Sequence, residues 1–145
     1  NNVMKKYIYG FYLLVVVIIA YFSSQLSIVE PKKINSYDYL IGRWFSEDAD
    51  RKIVMKFLPD KKCQIKIFES QSDTVFIDGE VYFDAKKQPN ALSIYKISDM
   101  DHPLHTIIAK VDENKLIIEK FAPKWRLRPI SFGEKTKINL IKVER

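Results

Sequence analysis

Residues 51–67 read Arg51-Lys52-Ile53-Val54-Met55-Lys56-Phe57-Leu58, then Pro59-Asp60-Lys61-Lys62, then Cys63-Gln64-Ile65-Lys66-Ile67. Successive side chains of an extended chain point to opposite faces. Ile53, Met55 and Phe57 therefore oppose Lys52 and Lys56, and Cys63, Ile65 and Ile67 oppose Gln64 and Lys66. The polar stretch between the two runs carries a proline and an Asx residue to set a bend, and so short a connection joins antiparallel neighbours. The pattern predicts a hairpin with one dry face.

Working outward, the same period of two recurs to the C-terminus, and no segment beyond Arg43 holds a 3.6-residue apolar period for more than a few residues. Strands are predicted near Gly42–Ser46, Arg51–Leu58, Cys63–Ser70, Thr74–Asp84, Ala91–Ser98, Leu104–Asp112, Leu116–Phe121, Trp125–Phe132 and Lys137–Glu144. Asp112-Glu113-Asn114-Lys115 is a short turn and Lys86–Asn90 a longer loop. In Thr74–Phe83 the apolar face is Val75, Ile77, Gly79, Val81 and Phe83, with Asp78 and Glu80 opposite; a mid-strand glycine there signals a bend or bulge. The fold class is all-β: an antiparallel up-and-down meander closing into a small barrel, which removes exposed edges, with a two-sheet sandwich as the alternative.

Upstream lies a different kind of segment. Tyr7 to Phe22, YIYGFYLLVVVIIAYF, has no charged or amide side chain, and as a helix it covers roughly 24 Å, close to the hydrocarbon thickness of a bilayer. Lys5 and Lys6 precede it and no basic residue follows before Lys32, which places the N-terminus in the cytoplasm by the positive-inside bias. An uncleaved anchor and a cleaved secretory signal share that topology. Ala20-Tyr21-Phe22 sets aromatics where a small-residue cleavage motif belongs, which favours the anchor. The organisation read from this is a cytoplasmic tip and transmembrane segment over 1–30, a linker over 31–41 and an extracytoplasmic barrel over 42–145. The expected location is a bacterial inner membrane, crossed once, with the C-terminal domain periplasmic or extracellular. Cys63, the single cysteine, cannot form an internal disulfide; it reads as a small apolar strand residue, with intermolecular pairing as the alternative.

Leu40-Ile41-Gly42-Arg43-Trp44 resembles the Gly-x-Trp signature that opens the first strand of lipocalins and related calycin barrels, and the meander behind it is similar to the small bacterial lipocalin-like domains. The resemblance implies a protein that binds, in a family that rarely catalyses, and a Trp44 that closes the barrel base against a basic side chain near the end of the last strand. Lys142 and Arg145 stand near that place, with Arg126 and Arg128 one predicted strand earlier. Independently of any family, Trp44 and Phe45 read as a large apolar plug.

Candidate chemistry is sparse. His102-Pro103-Leu104-His105, with Asp99 and Asp101 upstream, is the densest group of potential metal ligands, but residues three apart on an extended chain point to opposite sides, and the proline prevents a helix; a solvated loop is expected there. Asp78 and Glu80 share the solvent face of their strand. No phosphate loop, nucleophile elbow or Cys–His arrangement is present, so neither catalytic residues, metal nor cofactor are expected. The net charge of +6 is concentrated in residues 120–145, which hold eight of the 24 basic groups against two acids. Lys124, Trp125, Arg126 and Arg128 are the expected partner-binding surface, toward an acidic protein or an anionic envelope surface, with membrane contact through Tyr7–Phe22. Nucleic acid is disfavoured by location. Two function classes follow: a protein-binding module such as an envelope accessory or an immunity- or inhibitor-type protein, and a carrier of a small apolar ligand. Bulky side chains filling the barrel favour the first; small residues around an open chamber favour the second.

Overall fold

The computed structural model describes residues 2–25, 30–46, 52–68 and 73–143, in two compact units divided between Glu30 and Pro31. The first unit is one helix, α1 (Asn2–Gln25). Its stretch from Asn2 to Phe22 is long and apolar enough to cross a membrane.

The second unit is a closed barrel of eight antiparallel strands in chain order: β1 (Gly42–Ser46), β2 (Lys52–Phe57), β3 (Lys62–Phe68), β4 (Thr74–Asp84), β5 (Asn90–Tyr95), β6 (Leu104–Asp112), β7 (Lys115–Ile118) and β8 (Ile138–Lys142). β8 returns to β1 with Trp44 opposite Lys142. The hairpin at residues 52–67 forms as its alternation dictates, with Met55 opposite Ile65 and Phe57 opposite Cys63, all buried inside, while Arg51 lies outside the described residues. Trp44, Met55, Phe57, Ile65, Leu92 and Leu116 are all but fully buried, so the interior is a packed core. Burial, with the Asp78 carboxylate nearby, pushes the Cys63 thiol up to about 12, which keeps it protonated and inert.

Four expectations need correction. The predicted ninth strand, Trp125–Phe132, does not form. Pro123 and Pro129 lack the N–H that a ladder needs, Trp125–Leu127 closes as a short 3₁₀ turn, and the chain from Glu119 to Lys137 is a long excursion between β7 and β8. β5 stops at Tyr95 because Lys96 takes a left-handed φ of 53°. Residues 31–41 are no mere linker. Lys32 pairs with Lys110 through two backbone hydrogen bonds, Ile34 exchanges two with the Asn90 amide, and Ile34 and Leu40 are buried in the core, so this segment closes one barrel end. Gly79 marks no bulge: the β3–β4 register runs unbroken past Cys63 opposite Gly79. Its reason is close approach, since a Cβ there would sit 2.5 Å from Ile94 Cγ2 and 2.8 Å from the Tyr95 carbonyl oxygen.

Candidate functional site

The excursion between β7 and β8 starts at Glu119, whose side chain is buried. Its carboxylate accepts from the Lys120 N–H at 2.9 Å, from the Gly133 N–H at 2.9 Å and from the Thr136 hydroxyl. Burial alone would raise this carboxyl, and the three hydrogen bonds outweigh it and hold it below its usual range. Glu119 thereby ties the two ends of the loop together.

A second tie holds the middle. Arg128 follows the 3₁₀ turn, and its half-buried guanidinium donates to the Leu92 and Thr106 carbonyls, both at 2.9 Å, and to Ser93 Oγ at 2.6 Å. Ser93 Oγ lies 2.8 Å from His105 Nδ1, and Arg128 Nη2 lies 3.3 Å from the same nitrogen. An arginine can only donate, so Nδ1 is the acceptor and the ring proton sits on Nε2. Ala122 adds a backbone bridge to His105. Burial, and then the Arg128 charge, lower the His105 pKa, so this imidazole is neutral near pH 7.

The geometry divides the predicted site residues. Lys124, Trp125 and Arg126 are exposed together, with the Arg126 guanidinium 5.5 Å from the Trp125 ring centroid. Arg128 is not a free surface cation, since its guanidinium is turned into the barrel wall as the pin that fixes the loop. His105, expected in a solvated loop with His102, is buried on β6 while His102 is exposed, so the two imidazoles do not share a site. Asp78 and Glu80 are on the solvent face as their alternation implies, Glu80 paired with Lys96 at 3.2 Å.

Other residues were not anticipated. Leu127 and Ile130 are 62% and 87% exposed beside Trp125 at 68%, three large apolar side chains on a loop held from within. Phe45 does not plug the barrel: with Trp44 inward, the next side chain must point outward, and Phe45 is 40% exposed. The alternation already held that information. Lys142 Nζ stands 5.3 Å from the Trp44 ring centroid, the contact that the resemblance implied for a basic residue near the end of the last strand.

The chain thus holds an apolar helix and, as a separate unit, a closed and filled antiparallel barrel whose pinned basic and apolar loop is the candidate contact surface. No family model matches the chain, and no curated protein or solved structure matches it either.

Proposed function

We infer that this protein is a membrane-anchored extracytoplasmic binding module, held in a bacterial inner membrane by α1, which engages a protein partner through Lys124, Trp125 and Arg126 with Leu127 and Ile130. The observation that carries the reading is the contrast between the two sides of the barrel wall. Inside, Trp44, Phe57 and Met55 are at most 1% exposed, bulky filling that favours a partner-binding module over a carrier. Outside, a loop tied at Glu119 and Arg128 presents large apolar groups beside cations. A surface ordered before binding loses less conformational entropy on association, and tryptophan and arginine are the residue types that dominate binding energy in protein interfaces. The cations suit an acidic partner. Lys5 and Lys6, in the first turns of α1 ahead of its apolar stretch, support a cytoplasmic N-terminus and an exported barrel.

The test is photo-crosslinking in the cells that make the chain, with benzoylphenylalanine at position 125 and, as a control, at exposed Lys87. A discrete protein adduct at 125 only, lost when Lys124→Glu and Arg126→Glu are combined, is expected. Adducts independent of those charges, or a stoichiometric apolar molecule on the purified chain in native mass spectrometry, would overturn the reading in favour of a carrier or an inert surface.

A further inference from the structure

A second surface lies on the outer face of β1–β4. The registers align one outward residue from each strand in a row, Phe45 beside Val54, Val54 beside Lys66 and Lys66 beside Phe76, and Ile141 of β8 extends the row past Phe45. Phe76 is 62% exposed. Lys66 Nζ hovers 5.1 Å from the Phe76 ring and 5.9 Å from that of Phe68. One step along the strands runs a polar row of Arg43, Lys56, Gln64 and Asp78. The residues of β1–β4 in these two rows line a groove of about 560 Å³. Among the described residues, Arg43, Lys56 and Lys66 have no ion-pair partner.

We propose that this groove docks an extended segment of a protein partner in which a carboxylate and an apolar side chain stand two positions apart on one face, a proposal that rests on the binding-module reading and adds to it a second site. The two rows stand about 7 Å apart, the i to i+2 repeat of an extended chain. A carboxylate over Arg43 and Lys56 therefore sets the residue two positions on over Phe45 and Val54. A second copy of the chain is a poor occupant, because an isologous contact would bring three cations and one carboxylate against the same set. A flat bilayer is poor as well, since it meets a groove's rim and leaves its floor empty.

The experiment uses the full chain in detergent micelles and a short fluorescent peptide of Glu-Ser-Leu-Ser repeats, which sets Glu and Leu two positions apart on one face of an extended chain, with a Lys-for-Glu peptide as control, read by fluorescence anisotropy. The acidic peptide binds and the basic one does not. Combining Arg43→Glu with Lys56→Glu weakens binding by roughly tenfold or more, and so does Phe76→Ser, an exposed change that leaves the core intact. Lys124→Glu with Arg126→Glu leaves it unchanged. Equal binding to every variant would overturn the groove, as would Phe76-dependent dimers in sedimentation, or anionic nanodiscs held through Arg43 and Lys56 where the peptide is not. Crosslinks at position 125 that persist alongside such a result would leave the binding-module reading standing without this site. Their loss beside intact peptide binding would remove the loop and keep the groove.

Discussion

Lys142 Nζ lies 5.3 Å from the centroid of the buried Trp44 ring, across the one pair of strands that closes the barrel. Three further contacts converge there: Trp44 Nε1 donates to the Leu40 carbonyl at 2.8 Å, Tyr39 leans on the indole at 5.6 Å between centroids, and Lys110 Nζ sits 4.9 Å from the Tyr39 ring. Gly42, at φ 129°, makes room for the lysine stem, since a Cβ there would come within 3.1 Å of Lys142 Cε. The first strand, the last strand and the end-closing segment 31–41 thus meet on one indole.

That convergence predicts a graded response. Trp44→Ala removes a fully buried indole and costs about 3–5 kcal/mol. Lys142→Met keeps an apolar stem and loses only the cation–π attraction, about 0.5–2 kcal/mol, whereas Lys142→Ala loses packing as well and costs more. Urea unfolding of the barrel signal by circular dichroism ranks the three. A Lys142→Met variant as damaging as Trp44→Ala would show that the ammonium does something other than cover the ring.

Gly79 gives a second prediction. Its missing Cβ is what allows β5 to come so close, with Ile94 Cγ2 at 2.5 Å and a backbone carbonyl at 2.8 Å from where a methyl would stand. The carbonyl belongs to the sheet and cannot rotate away. Gly79→Ala should therefore destabilise by about 1–3 kcal/mol through overpacking, although alanine is otherwise the less costly residue for chain entropy. A neutral or stabilised variant in the same urea assay would mean that β4 and β5 can part at that point without loss.

The parts of this fold that were legible in sequence are those where one face is wet. β2, β3 and β4 alternate, and their alternation places Met55, Ile65 and Ile77 inside. Where both faces are buried the signal changes character: Leu104 to Ala109 is buried residue by residue, and His105 and Thr106 are buried with it. A near-continuous apolar run was the cue that something covers the outer side of β6. The covering is the 119–137 loop, which passes for a strand because Trp125, Leu127 and Pro129 alternate with Arg126 and Arg128. What defeats that alternation is long-range. Arg128 finds its acceptors on β5 and β6, 36 and 22 residues away in sequence, and no local pattern encodes them.

The pin at Arg128 also predicts how stability responds to acid. His105 Nδ1 accepts from Ser93 and faces the Arg128 guanidinium, while the edge of the Tyr95 ring meets the imidazole at 5.8 Å between centroids. Protonation would remove the acceptor and set a second positive charge beside the first, so the folded pKa is lowered, by burial first and by Arg128 second. The unfolded chain takes up the proton near pH 6.5. A lowered folded pKa means that this contribution is complete above the unfolded value and is lost as pH falls below it toward the folded one. The Glu119 carboxylate, also lowered, loses its share only at still lower pH, below the ordinary carboxylate range. Urea midpoints taken from about pH 7.5 to about pH 5.5 should therefore fall for the natural sequence and stay flatter for His105→Gln, which keeps an acceptor and cannot titrate. His102→Gln, at an exposed ring, should follow the natural sequence. Equal slopes for the natural chain and His105→Gln would show that the imidazole takes up its proton as readily in the folded chain as in the unfolded one, and that the loop is held by Glu119 and the two barrel carbonyls alone.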